Sequence, residues 1–173
     1  MDNVVIVERP GARLRMEAWL PLTIVVLDQL TKAMVRRSLP LHQSVEVVPG
    51  LLDFTHIRNT GAAFGLLNTV EFPFKTVVIA LIATCALVGV ALYARSLPPH
   101  QVLARAGLAL IIGGAAGNLI DRVLVGSVVD FVDVYWRTYH FWAFNVADSA
   151  ITVGVGLMLL DVIGVSTYVS KTV

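Results

Sequence analysis

The run from Thr76 to Ala94 contains no charged residue, and this restricts the fold more than any other feature of the chain. A bilayer core is crossed by about 20 mostly apolar residues in a helix. Only a helix or a closed barrel satisfies its backbone polar groups inside lipid. The run therefore predicts a membrane span from Phe74 to Ala94. Three more segments fit the same template: Glu17 to Val35, Leu103 to Arg122, and Phe144 to Val165. The first and last of these three carry internal aspartates, Asp28 and Asp148. Composition agrees, because the chain is 57% hydrophobic and only 14% charged, against about 25% charged in an ordinary soluble domain. A net charge of +1 offers no electrostatic footing for nucleic acid as a partner.

These spans predict an all-α polytopic membrane protein with four transmembrane helices, forming one domain over residues 17–168. Residues 1–16 read as an N-terminal tail and residues 169–173 as a C-terminal tail. The first apolar stretch is not expected to be a cleaved leader. Asp28, Gln29 and Lys32 follow it, where a cleavage site would need small residues. Between the first two spans, Ser44 to Val48 and Leu52 to Ile57 flank Pro49 and Gly50, which predicts a small β-hairpin at the membrane surface, within a β segment at about 41–66. Residues 123–143 read as a loop on the same side. Their rings, Phe131, Tyr135, Trp136, Tyr139, Phe141 and Trp142, favour the headgroup level. Gly113 and Gly117 form a GxxxG pair, read as close helix packing. The cations Arg9, Arg13, Arg15, Arg95, Arg105 and Lys171 on one side face Arg36, Arg37, Arg58, Lys75, Arg122 and Arg137 on the other. That balance leaves the orientation open to the positive-inside rule.

Ionisable groups at membrane depth cost roughly 2.5–3.5 kcal/mol each on insertion scales and so require a reason. Counting about 1.5 Å of rise per residue, Asp121 lies about 27 Å along the third span, at the far face. Asp130 follows in the loop on that face, and Asp148 sits in the first turns of the fourth span. Asp28 and Lys32 approach the same side, together with Asn59, Asn118, Arg122 and Asn145. Asp161 is the exception, about 20 Å beyond Asp148 toward the other face. Asp28 and Lys32 are four residues apart and read first as an intrahelical pair. Asp121, beside Arg122 at a span end, also reads as structural. Asp130 and Asp148 have no local cation and read as functional. Two carboxylates held close cannot both ionise easily, so the pair keeps one shared proton near neutral pH. Such a pair suits peptide hydrolysis. The ionised member takes a proton from water while the protonated member hydrogen-bonds the scissile carbonyl.

No metal or cofactor is required by this chemistry. His42, His56, His100 and His140 form no zinc spacing. Cys85, the only cysteine, lies mid-span and reads as packing. Ser149 lacks a GxSxG elbow, and the glycines at 113–117 lack the Lys-Ser/Thr of a phosphate loop. A proton- or ion-coupled transporter would also use intramembrane acids, but the two halves show no internal repeat. A helical scaffold built on GxxxG contacts would leave Asp130 and Asp148 unexplained.

Five blocks in order carry a resemblance: Asp28 to Lys32 (DQLTK), Asn59 to Phe64 (NTGAAF), Gly117 to Arg122 (GNLIDR), Val128 to Asp133 (VVDFVD) and Phe144 to Ile151 (FNVADSAI). Each is weak alone. Together, on a four-span frame from about residue 17 to 165, the chain resembles the lipoprotein signal peptidase family, signal peptidase type II. The resemblance implies an aspartic endopeptidase in which Asp130 and Asp148 are the catalytic pair. Asn59, Asn118, Arg122 and Asn145 match polar residues lining the site, and Asp28 and Lys32 a supporting first-span motif. It further implies the bacterial cytoplasmic (inner) membrane, cytoplasmic termini, and an active site on the extracytoplasmic side, with the hairpin as a surface cradle. The implied substrate is a diacylglyceryl-modified prolipoprotein, cut just before the lipidated cysteine. Membrane lipid is the expected surrounding partner, and a monomer is expected.

Overall fold

The computed structural model describes residues 10–61, 70 and 72–164, with side chains from residue 18 onward. Among the described residues, four helices and four strands follow one another as α1 (Pro10–Ser38), β1 (Ser44–Val48), β2 (Leu52–Asn59), α2 (Lys75–Ser96), α3 (Val102–Leu124), β3 (Val128–Trp136), β4 (Tyr139–His140) and α4 (Val146–Val162). Three helices among the described residues are long and apolar enough to cross a membrane: α1 over Ala18–Ser38, α2 and α3. The fourth, α4, has 17 residues, a length of about 25 Å, and is shorter than the predicted segment from Phe144 to Val165. The predicted tail at 1–16 is helical backbone from Pro10 onward. The C-terminal tail and residues 62–66 of the predicted β segment lie outside the described residues.

The helices are apolar outward and small or polar inward. Leu22, Val26, Leu30 and Met34 of α1 and Val77, Leu81, Ile82 and Leu92 of α2 are exposed, as lipid-facing positions should be. Helix α3 is central and packs against the other three. Its glycines make this possible. A methyl group on Gly113 would come within 2.9 Å of the Pro21 backbone in α1, while Gly114 lies against the backbone of Ala147 in α4. The predicted GxxxG pair does more than pack helices. A methyl on Gly117 would sit 2.6 Å from Asp28 Oδ2, so that glycine makes room for a buried carboxylate.

A four-stranded antiparallel sheet in the order β1-β2-β3-β4 lies beside the helices. The predicted turn is present: Leu51 N donates to Val48 O across Pro49 and Gly50, and Gly50 has φ 74°. A proline followed by a residue of positive φ is the type II pattern. The all-α expectation is corrected here, because residues 123–143 are not a loop. Val128–Trp136 forms β3 and pairs with β2, Asn59 opposite Val128 and Ile57 opposite Asp130. The reason is non-local. The β-branched and aromatic run VVDFVDVYW is competent for a strand, but its partner lies about 70 residues earlier. An extra residue in β2 between Phe54 and Ile57 shifts the register, a bulge of the kind that re-aims side chains near active sites. Phe144 then bonds back to β3 through Val132 in both directions (2.9 and 3.0 Å). That closure sets the start of α4 beside Asp130.

Candidate active site

Helix α4 begins where local chemistry dictates. Asn145 is extended (φ −135°, ψ −174°), its Oδ1 accepts from Asp148 N at 2.9 Å, and Asp148 Oδ2 accepts from Asn145 N at 3.3 Å. This reciprocal capping box satisfies two helix-end donors and fixes Asp148 on the first turn. Asp130 arrives from β3, and both aspartates line one cavity of about 600 Å³. Asn59, Asn118 and Arg122 line it too, among apolar walls that include Phe141, Trp142, Phe144, Ile151 and Val153.

Three asparagines hold the two carboxylates, and obligatory donors set the orientation of each amide. Lys32 Nζ can only donate, so the atom 2.9 Å from it is Asn118 Oδ1, which turns Asn118 Nδ2 to Asp148 Oδ1 at 2.8 Å. The Asp148 N–H can only donate to Asn145 Oδ1, which turns Asn145 Nδ2 to Asp130 Oδ1 at 2.7 Å. Gly61 N donates to Asn59 Oδ1 at 3.0 Å, which turns Asn59 Nδ2 to Asp130 Oδ2 at 3.1 Å. Each amide is thereby fixed as a donor to a carboxylate. Burial, and next to it the charge of Asp148, pushes the Asp130 carboxyl up to about 7; Asn59, Asn145 and Lys32 pull the other way. An acid of that strength sits between its protonated and ionised forms at neutral pH, as a shared-proton pair requires.

The structure separates the sequence-predicted residues into two shells. Asn59, Asn118, Arg122, Asp130 and Asp148 face the cavity, and Asn145, fully buried, lies directly beneath both aspartates. Asp28 and Lys32 are fully buried behind them and are not among the lining residues. Their intrahelical pair exists, at 2.8 Å, but Lys32 also pairs with Asp121 at 3.1 Å. Arg122 leaves Asp121 to Lys32 and Arg36. Its Nη2 donates to Gly61 O (3.1 Å) and its Nη1 to Asn118 O (3.3 Å). Sequence reasoning read Asp121 as structural, and the residue is buried in ion pairs with Lys32 and Arg36, away from the cavity lining. It read Phe141 and Trp142 only as interface rings, whereas they wall the cavity. Among the described residues no group of three or more His, Cys, Asp or Glu side chains is arranged to hold a metal ion.

Asn59 and Arg122 should separate ligand handling from folding. Asn59→Ala removes one of two amides on Asp130, and Arg122→Ala removes a cation from the cavity wall. Each is expected to lower kcat/KM about tenfold, the scale of one charge-assisted hydrogen bond. Steady-state kinetics beside a thermal melt checks this: an Arg122→Ala protein that fails to accumulate would make that residue a folding element instead.

The family model for signal peptidase (SPase) II matches residues 20–164. The lipoprotein signal peptidase of Geobacter sulfurreducens is 51% identical over 139 residues, covering 80% of this chain and 86% of its own. That of Syntrophotalea carbinolica is 50% identical over 137 residues, covering 79% and 84%. A bacterial membrane enzyme solved in meso at 2.3 Å superposes with a TM-score of 0.76 at 32% identity, covering 89% of this chain and 88% of that one. The match runs through the span helices, the sheet and the start of α4 alike, and the chain belongs to the signal peptidase II family of peptidases.

Proposed function

We propose that this protein is an intramembrane aspartic endopeptidase that removes signal peptides from diacylglyceryl-modified prolipoproteins, with Asp130 and Asp148 as the water-activating dyad. The observation that carries this reading is the pair of carboxylates in one cavity, each held by asparagine amides, with the Asp130 carboxyl pushed up to about 7. In the resting site one proton is shared. The ionised carboxylate takes a proton from water as the oxygen attacks the scissile carbonyl, and the protonated one hydrogen-bonds that carbonyl. As the tetrahedral centre collapses, the proton passes to the leaving amine. Cleavage falls just before the lipidated cysteine.

Four spans are proposed, with α4 as the last, both termini in the cytoplasm and the dyad near the outer leaflet of the inner membrane. Trp136, Tyr139 and Trp142, all strongly exposed, support that depth, since such rings favour the headgroup level. The cavity's largely apolar wall supports a lipid-bearing substrate. The protein is proposed to act as a monomer without metal or cofactor, so chelators and Cys85→Ala should leave its rate unchanged. The test of the reading is cleavage of a lipidated prolipoprotein by the purified protein in detergent. No product would return the acids to an ion-coupled role.

The substrate's lipid should matter to the rate. Each buried methylene adds about 0.8 kcal/mol to membrane residence, so two acyl chains hold the cysteine at a fixed depth before chemistry begins. A precursor with unmodified cysteine is expected to be cleaved at least about tenfold more slowly, equivalent to about 1.4 kcal/mol in the barrier. Initial rates for matched lipidated and unlipidated precursors in one detergent measure this. Equal rates would point to a general membrane protease.

A further inference from the structure

Asp28, Lys32 and Asp121, exposed by 0%, 0% and 1%, form a buried ionic cluster outside the cavity lining that takes no part in the chemistry above. Their hydrogen bonds have a common pattern. Asp28 Oδ1 accepts from Ala147 N at 3.0 Å, and Ala147 immediately precedes Asp148. Asp121 Oδ2 accepts from Val129 N at 3.3 Å, and Val129 immediately precedes Asp130. Lys32 joins the two carboxylates, at 2.8 and 3.1 Å. Its third bond goes to Asn118 Oδ1, the amide that holds Asp148. Gln29 Nε2 also spans both carboxylates, at 3.1 Å to Asp28 and 3.4 Å to Asp121.

We propose that the Lys32-bridged pair Asp28 and Asp121 is a gauge that sets the separation of Asp130 and Asp148, each bridging carboxylate holding the backbone N–H just before one aspartate. The inference rests on the reading of Asp130 and Asp148 as the catalytic dyad. The two aspartates come from unlike elements, a strand and a helix, whose separation no local rule fixes. The gauge fixes it through a short rigid path: β3 backbone, Asp121, Lys32, Asp28, α4 backbone. A lysine carries three donors; two are used on the carboxylates of this path and the third on Asn118 Oδ1. Asp28 gains further because its carboxylate meets the N-terminal turn of α4, where a helix favours negative charge. Removing one partner of such a buried set leaves a charge unpaired, which accounts for the completeness of the set but not for its aim. The aim, at the residue before each dyad member, is what makes these positioning residues.

Lengthening an arm should move the dyad. Asp28→Glu and Asp121→Glu each add one methylene and keep the charge. Misplacing reacting groups by about 1 Å can cost about a hundredfold, so kcat per folded molecule should fall about that much, with KM within twofold. The pH–rate profile carries the separating signal. Coupling between two carboxylates weakens as they part, so the acid and alkaline limbs should draw together. The charged groups facing the dyad remain in place: Lys32, Arg122 and, beyond Asp121, Arg36. The double variant Lys32→Met/Asp121→Asn conserves the net charge of the triad and deletes the bridge; it should show the same loss of kcat. Wild-type kcat and limbs in folded protein overturn the proposal, as does failure of all these variants to accumulate, which would leave the triad a folding element alone. Asp130→Asn and Asp148→Asn are assayed alongside. Turnover by those two would sink the dyad reading itself, whereas their inactivity beside fully active Glu variants would sink only the gauge.

Discussion

Asp130→Asn and Asp148→Asn are each expected to abolish prolipoprotein cleavage, a loss on the order of 10⁴-fold, the upper range for removing a general acid or base. Asparagine keeps the shape but cannot share the proton, and its single oxygen retains only one of the two donors that each carboxylate accepts. The pH dependence follows from the same group. With the Asp130 carboxyl pushed up to about 7, the shared proton is lost as pH rises through neutrality. The wild-type rate should therefore fall on the alkaline side with a one-proton slope. Stability provides a control. A carboxyl raised in the folded state contributes stability that is present below its ordinary value of 3.8 and lost as pH rises through about 7. Asp130→Asn should accordingly melt above wild type at pH 8, with the difference shrinking toward pH 4. A dead enzyme that melts higher has lost chemistry rather than structure. Substantial turnover by either variant would move the catalytic pair, with Asp121 and Asp133 the next residues to test.

Asn145→Ala is expected to lower kcat by roughly 10²–10³-fold, the loss seen when one preorganised donor is removed from a charged site. Asn145 is fully buried and does three things at once. It caps α4 through its Oδ1, donates to Asp130 Oδ1 at 2.7 Å, and reaches Asn118 Oδ1 and Val129 O at 3.2 and 3.3 Å. Loss of the cap costs about 1 kcal/mol of stability. Loss of the amide frees the first turn of α4 and leaves a buried carboxylate oxygen without its shortest donor. Asn145→Asp, which keeps the cap acceptor but sets a third carboxylate against the acceptors that Nδ2 serves, should be as inactive as the alanine variant. Kinetics beside thermal melts decides the matter. Near-normal kcat in Asn145→Ala would reduce the residue to a helix cap.

Local rules explain what could be read in advance. An uncharged apolar run can only be a span, so α2 was legible to within two residues at each end. Proline before glycine between two strand-like runs can only turn, and β1 and β2 followed from that. The aspartates stood out because lipid makes an unpaired carboxylate costly. The capping box of α4 lies within four residues, whereas Asp148 stood out by its depth and lack of a local cation and Asn145 by its side of the membrane and the family resemblance.

Three features were decided only in three dimensions. Strand β3 was read as a loop because a strand is completed by its neighbour, and β2 is far away in the chain. Asp28 and Lys32 were read as a pair because they lie one helical turn apart. Asp121, which makes them a triad, comes from a different helix, brought close by Gly117. Finally, neighbouring residues in the sequence took opposite roles. Asp121 turns inward to Lys32 and Arg122 outward to the cavity, because adjacent residues on a helix point about 100° apart. The sequence by itself determined which groups must be buried in or against the membrane, since that depends on the transfer cost of each residue. Tertiary structure decided which of them meet, since that depends on register, helix rotation and the closeness that α3's glycines permit.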